Sequence, residues 1–280
     1  MYIVCIVMSN YIIFIRLCMH FRKFFLSLSF AIQYFMVISQ TTVTANGTCL
    51  VNAGLQVLGK PYMANLLDQN DQERLISTSA YFDCVTLVEH LLASCLSENH
   101  PSSSWKMYDE YLQSIRYRKG NIDGYTSRLH YFSEWILQQQ ENGYIANITK
   151  NAGGVPLMKP IHFMTSNRRR YPKLKKQNDY NTIREIEKRL SKTTFYHVSS
   201  NNLLLAEKYI QAGDIIAITS ARSGLDVEHV GMAVVQNGRI HLLHASSRLN
   251  KVVITKVNLV DFVSATTSYT GIIILRPTFL

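Results

Sequence analysis

The chain has 280 residues, 47% hydrophobic and 17% charged, which describes a globular protein with a sizeable core and excludes a low-complexity or repeat architecture. One large domain or two small ones fit this length. The net charge is +10, and Arg16, Arg22 and Lys23 lie in the first 45 residues, which hold no acidic residue; 10 minus 3 leaves +7 on the rest. Such a surface suits an anionic partner, a cell-wall polymer or nucleic acid, and equally suits a solvated basic face without a specific partner.

From Met19 the chain reads as a secretory leader. Arg22 and Lys23 form a positive n-region, residues 24–38 an apolar h-region, and Val43-Thr44-Ala45 a run of small residues for a signal peptidase. Cleavage is expected near Ala45, so residues 1–45 are the leader and 46–280 one mature domain. The apolar stretch before Met19 points to translation starting at Met19. The rival is a retained membrane anchor, since residues 1–38 are long enough to span a bilayer. The protein is therefore expected to be exported, periplasmic or extracellular, and to meet a membrane only through an uncleaved leader. Of Cys5, Cys18, Cys49, Cys84 and Cys95, the last three survive cleavage, and an odd number leaves at least one thiol free. Cys49 and Cys95 are a possible disulfide that nothing in the sequence demands. No metal-ligand spacing occurs and the nine histidines are scattered, so neither metal nor cofactor is expected.

Leu50, Leu55 and Leu58 set a first amphipathic helix that stops at Gly59-Lys60-Pro61. A second begins near Asp83, with Val88, Leu91, Leu92 and Cys95 at three- and four-residue spacing on one face with Cys84. Residues 104–117 and 129–140 read as a third and fourth helix, parted by a loop at 120–124. Residues 151–180 read as a long surface excursion carrying Arg168-Arg169-Arg170, Lys173, Lys175 and Lys176. This run is solvated surface first, and a contact for an anionic substrate second. A short charged helix follows at 183–190. Strands then occupy 215–218, 230–235, 240–245, 252–255 and 272–275. Asn237-Gly238 joins two of them as a hairpin turn, because both turn positions need positive φ. Helices followed by an antiparallel sheet make an α+β domain.

Cys84 falls in the first turn of its helix, where unpaired N–H groups and the helix dipole favour a thiolate. Alone, a cysteine there is more often a small core residue. A nucleophile also needs a base and a group to orient it. The hairpin offers His229 and His244. With Gln236 opposite Arg239, paired residues sum to 475, which makes the two histidines diagonal neighbours on one face, within reach of two imidazoles. His241 has the opposite parity. Asp83 is a candidate N-cap for the Cys84 helix. Tyr62 is a candidate for an oxyanion or substrate contact, or a core tyrosine. Tyr125, Arg128, His130 and Trp135 are candidates for lining a sugar or peptide cleft, or for packing a helix on the core. Asp226 and Glu228 flank His229 and could tune it or belong to a loop. Glu89 and His90 read as structural.

In order, the chain shows Gly59-Lys60-Pro61-Tyr62, Asp83-Cys84, Gly213-Asp214-Ile215, His229-Val230-Gly231 and His244-Ala245-Ser246. This series resembles the NlpC-type papain-like cell-wall cysteine hydrolases over residues 50–280. Asp83 to Glu89, Tyr125 to Tyr131, Gly224 to Gly231 and Leu242 to Ser247 most resemble their N-acetylmuramoyl-L-alanine amidase-like branch. The resemblance implies a papain-like α+β fold, with Cys84 at a helix N-terminus as nucleophile, His229 as base and His244 as its polar orienter. It departs from commoner members at Val85-Thr86, where those have Ser-Gly, and in a long helical and loop insert at 97–200. The implied function is a hydrolase of peptidoglycan or muropeptides, most simply an N-acetylmuramoyl-L-alanine amidase. The alternatives are a D-glutamyl stem-peptide endopeptidase and a catalytically silent cell-wall binding module. A monomer is expected, and nucleic acid is not an expected partner, since no basic strand is interleaved with aromatics.

Overall fold

The computed structural model describes residues 44–100 and 105–279. The expected leader up to Val43, and Ser104 of the expected third helix, lie outside the described residues. Four helices come first: α1 Ala45–Gln56, α2 Cys84–Glu98, α3 Trp105–Arg116 and α4 Phe132–Glu141. Two short strands follow, β1 Ile145–Asn147 and β2 Val155–Leu157, then α5 Gln177–Ser191 and β3 Phe195–Ser199. The C-terminal part holds β4 Ile215–Ser220, β5 Val227–Gln236, β6 Arg239–Ser246, β7 Lys251–Ile254, α6 Leu259–Ser264 and β8 Tyr269–Pro277. The sheet order is β2-β3-β8-β4-β5-β6-β7, antiparallel throughout, with β1 beside β3 on the same edge of β8. The domain is α+β, as the sequence predicts.

The sheet is covered on both faces, and β4 shows how. Ile215 and Ala217 join the cluster that includes Leu50, Leu87, Leu91 and Leu112 from the helices. Ile216 and Ile218 join a second cluster with Leu259 and Val263 of α6. Alternate residues of one strand thus feed two cores, which is why this run is apolar without a break. Gly213 stands at the head of β4 with φ 89°, where a Cβ would meet the Gly47 backbone of α1 at 2.3 Å. The Gly213-Asp214 pair is therefore architectural. Asp214 binds Arg276 of β8 at 2.7 Å.

Helix α2 packs as its spacing predicts. Val88, Leu91, Leu92 and Cys95 are all buried, each large apolar side chain contributing about 1.5–3 kcal/mol. Helix α1 buries a different face from the one its leucines predict. Leu50 is buried, but Leu55 and Leu58 are exposed, and the buried stripe is Asn46, Gly47, Leu50, Ala53 and Gly54. Position 55 lies five residues, about 140° around the helix, from Leu50. The excursion at 151–180 also does more than cross the surface. It supplies β2, and Leu174 joins Tyr125, Tyr131, Ile183 and Leu190 in a third cluster that ties the insert together.

A disulfide joins Cys49 of α1 to Cys95 of α2, with Cα atoms 5.9 Å apart. It closes 46 residues of chain, for which loop entropy gives a stabilisation of about 4 kcal/mol. The Cys49→Ser/Cys95→Ser variant is expected to lose about 2–4 kcal/mol in urea unfolding. An unchanged midpoint would show that the bridge adds nothing.

Candidate active site

Helix α2 begins where it does because Asp83 caps it. The Asp83 carboxylate accepts from the Thr86 amide at 2.8 Å, and the Thr86 hydroxyl accepts from the Asp83 amide at 2.9 Å, a reciprocal capping box. The chain just before it is also fixed. The Phe82 amide donates to the Pro61 carbonyl at 3.0 Å, and the Met63 amide to the Phe82 carbonyl at 2.9 Å. Tyr62 and Cys84 are thereby brought to one cleft of about 330 Å³, lined also by Asp83, Arg128, His130, Phe132 and residues 225–230. Larger hollows, of 850 and 600 Å³, lie beside Arg168–Arg170 and beside Trp105. The chemistry, not the size, distinguishes the 330 Å³ cleft.

The hairpin follows the predicted register. Gln236 pairs with Arg239 and Met232 with Leu243, and Asn237 and Gly238 have φ of 51° and 73°. The ladder ends at Met232↔Leu243. Gly231 sits beyond it, where a Cβ would meet the Leu243 carbonyl at 2.7 Å. On the other edge of β5 a bulge falls at Glu228, since Ile218 pairs with His229 but Thr219 with Val227. His229 Nε2 and His244 Nδ1 lie 2.7 Å apart, with the rings perpendicular. His241, of the other parity, instead bonds the Thr255 carbonyl at 2.8 Å.

The Ala233 amide points to β4, where it bonds the Asp214 carbonyl. Alternation therefore turns the Val230 amide to the β6 side. Beyond the end of the ladder it has no strand partner there, and it acts on the Cys84 thiol, favouring the thiolate. Cys84 is the one free cysteine among the described residues. Its thiol thus meets the residue next to His229.

Burial dominates the electrostatics. It pushes the Cys84 thiol up to about 12, helped by the Asp83 carboxylate, while the amides of Val230, Cys84 and Val85 oppose it. Burial brings His229 down to about 3, with His244 adding to the fall, and brings His244 down to about 4. The helix N-terminus pulls toward a thiolate, as the sequence predicts, but burial wins. At neutral pH both thiol and imidazole are uncharged. Tyr62 is half-buried and its hydroxyl is raised by burial, then by Cys84 and Asp83.

The other expected residues divide. Arg128 and His130 line the cleft, whereas Tyr125 and Trp135 do not. Tyr125 packs on the His130 ring at 4.2 Å and Trp135 stacks on Phe132 at 4.6 Å. Arg128 pairs with Asp68 and donates to the Leu67 carbonyl. Burial and the Arg128 cation hold His130 well below its usual range, and it bonds the Tyr125 carbonyl. Asp226 is buried and accepts from the Ser133 amide at the start of α4 at 2.7 Å, which makes it a tertiary cap. Glu228 accepts from Ser220 at 2.5 Å and pairs with Arg222 at 2.9 Å. His229 is shifted by burial and His244, with no part from either acid. Glu89 pairs with Arg116 at 2.7 Å, and His90 meets the Tyr108 hydroxyl at 2.7 Å, both structural. Two residues had no sequence signal. Phe262 packs on His244 at 5.4 Å, and Tyr269 lies on Phe262 at 6.0 Å and feels Glu228 and Cys84. Both come from elements that carry no motif. Among the described residues, no group of three or more His, Cys, Asp or Glu is arranged to hold a metal ion.

The chain belongs to the N-acetylmuramoyl-L-alanine amidase-like family, which it matches over residues 52–272. It is similar to a crystal structure of an N-acetylmuramoyl-L-alanine amidase from Bacteroides uniformis, at 34% identity and a TM-score of 0.78, covering 84% of this chain and 100% of that one. A putative xylanase from Bacteroides fragilis is 35% identical, with a TM-score of 0.75, over 80% of this chain and 99% of that one. A protein from Legionella pneumophila at 20% identity and a TM-score of 0.63 shares the fold, over 84% and 90% of the two chains. No curated protein matches.

Iodoacetamide labelling of Cys84, read on its peptide by mass, is expected to quicken about tenfold per pH unit from about pH 6 to 10, since only the thiolate reacts. A flat rate below about pH 8 would contradict the neutral pair. His90, His130, His197, His229 and His244 are all lowered by burial. Their folded pKa values lie below the unfolded value of about 6.5, so their contribution to stability is complete above that pH and is lost as pH falls toward the folded values. The melting temperature is therefore expected to drop between about pH 7.5 and 5.

Proposed function

We propose that this protein is an exported peptidoglycan hydrolase, an N-acetylmuramoyl-L-alanine amidase of the papain-like type. The observation that carries the reading is the meeting of the α2 N-terminus with the hairpin, where Cys84, His229 and Val230 line one cleft and His229 is hydrogen-bonded to His244. A thiol at a helix N-terminus packed on an antiparallel sheet that bears the base supports the papain-like assignment. The Cys49–Cys95 bridge supports an oxidising compartment and hence export.

His229 Nε2 is taken by His244, which leaves Nδ1 for the thiol. For Nδ1 to accept a proton, Nε2 must carry its own and donate to His244 Nδ1. His244 is then protonated on Nε2 and steadies the imidazolium as it forms. As sulfur attacks the amide carbonyl, His229 takes the thiol proton and passes it to the leaving amine. The thioacyl group is next attacked by water, whose proton goes to His229 and then to the departing thiolate. The Tyr62 hydroxyl and the first-turn amides of α2 are the donors for the oxyanion.

Glycosidase chemistry of the kind a xylanase performs needs a pair of working carboxyl groups. The five acids lining the cleft are Asp68, Asp83, Glu89, Asp226 and Glu228. Each is engaged, with Arg128, Thr86, Arg116, Ser133 and Arg222 respectively. The cleft therefore favours thiol chemistry.

Digestion of purified muropeptides is expected to release stem peptides with a free N-terminal L-alanine, identified by mass. A cut after D-glutamate instead would make the protein a stem-peptide endopeptidase. Cys84→Ala is expected to lower turnover by about 10³-fold or more while retaining wall binding. Undiminished lysis by that variant would rule out the cysteine mechanism.

A further inference from the structure

The nine residues from Arg168 to Lys176 carry six cations and no acid. Like charges held together repel, and such a run ordinarily relaxes into a loose solvated loop. Here it is ordered. Leu174 is fully buried in the insert cluster. Arg168 donates to the Leu174 carbonyl at 2.7 Å and the Lys175 carbonyl at 3.0 Å, and its guanidinium lies 4.3 Å over the Tyr180 ring. Lys173 donates to the Asn70 and Asp71 carbonyls at 2.9 and 2.6 Å. Those two residues continue the segment whose Leu67 and Asp68 line the Cys84 cleft.

Two of the six cations thus build the segment. Arg169, Arg170 and Lys175 line the 850 Å³ hollow, together with Ser166, Asn167, Arg168 and Pro172. No carboxylate lines it. Arg169, Arg170, Lys175 and Lys176 are exposed, and none has an ion-pair partner among the described residues. A concave site of one charge sign concentrates its field on the opposite charge. Two arginines in it favour planar carboxylates, which they grip with two parallel bonds.

We propose that Arg169, Arg170 and Lys175 form an anion subsite that holds the carboxylates of one stem peptide of polymeric peptidoglycan while another stem lies in the Cys84 cleft. The inference rests on the peptidoglycan reading above. The acidic stems are the carboxylate-rich part of that polymer. Lys173 ties the basic run to the Asn70 and Asp71 carbonyls, two and three residues past Asp68 of the cleft lining, so a multivalent substrate engages both sites.

Sedimentation with intact sacculi tests it, using the Cys84→Ala chain so that the polymer is not digested. Three samples are compared: that chain, the same chain with Arg169→Gln, Arg170→Gln and Lys175→Gln, and a charge-matched control with Lys106→Gln, Lys208→Gln and Lys256→Gln. The subsite variant is expected to bind about tenfold more weakly, and the control is not. Sacculi whose carboxyl groups have been amidated are expected to lose the same binding to the unaltered chain, a readout that needs no folded variant. In the active enzyme, the ratio of polymer to monomeric muropeptide turnover is expected to fall about tenfold with the subsite variant. Equal binding by subsite variant and control, undiminished binding to amidated sacculi, or tighter binding to phosphatidylglycerol vesicles than to sacculi would each overturn the proposal. Absence of any hydrolysis by the active chain would instead fault the amidase reading, and the sedimentation result would still judge the subsite.

Discussion

The N-terminus of α2 meets β5 just where β5 and β6 part, beyond Met232↔Leu243, so that the Val230 amide acts on the Cys84 thiol. A backbone donor released from one ladder must find another acceptor when it is buried. Here the group it favours, the Cys84 thiolate, comes from a different layer, so the parting of two strands turns a sheet donor toward the helix. Everything around it serves that meeting. Gly231 lets the β6 backbone come close, since any side chain would strike the Leu243 carbonyl. The Asp83–Thr86 capping box fixes the residue at which α2 starts. The buried face of α2 holds its axis, and the Cys49–Cys95 bridge anchors its far end to α1. The bulge at Glu228 sends that side chain to Ser220 and Arg222 while His229 turns to His244.

The same packing sets the charge state. A thiol among first-turn amides is drawn toward the thiolate, and an imidazole beside it toward the imidazolium. Desolvation acts against both ions at once, and it is the largest influence on each group. In the proposed reaction the ion pair is then reached during attack rather than held at rest. That places weight on His244. It must accept a proton-bearing Nε2 and keep the ring in place as charge appears, and the Phe262 ring packed on it restricts its motion.

The parts legible in the sequence were those fixed by local rules. Asn237-Gly238 set the hairpin register, and a pleat of period two put His229 and His244 on one face, although the ladder itself stops at Met232↔Leu243, short of both. Asp83 before an apolar run read as a cap and is one. The illegible parts depend on residues far away in the chain. Asp226 caps a helix 93 residues distant, so nothing near it told a cap from a site acid. Tyr125 and Trp135 have the composition of a cleft wall but turn into the core. The strands β1, β2 and β3 are three to five residues long, and segments that short take their form from the strand they join. Cys49 and Cys95 were a possible pair in sequence, and only the crossing of α1 and α2 brings them together.

The insert, which sets this chain apart from a minimal domain, builds one wall of the cleft. The segment from Leu67 to Asp71 is gripped from both sides. Arg128 holds the Leu67 carbonyl and the Asp68 carboxylate, and Lys173 holds the carbonyls of Asn70 and Asp71. Arg128 is itself buried, and a buried cation with one partner removed is left uncompensated, so this arrangement resists piecemeal change. Lys173 is placed in turn by Leu174, which is locked in the insert cluster. A change in the insert core would therefore reach the cleft through Lys173 and the 67–71 segment, without touching Cys84 or its histidines. The thiol–histidine cluster and the shape of the cleft are in this way carried by separate parts of the fold, the first by the α2–hairpin contact and the second by the insert.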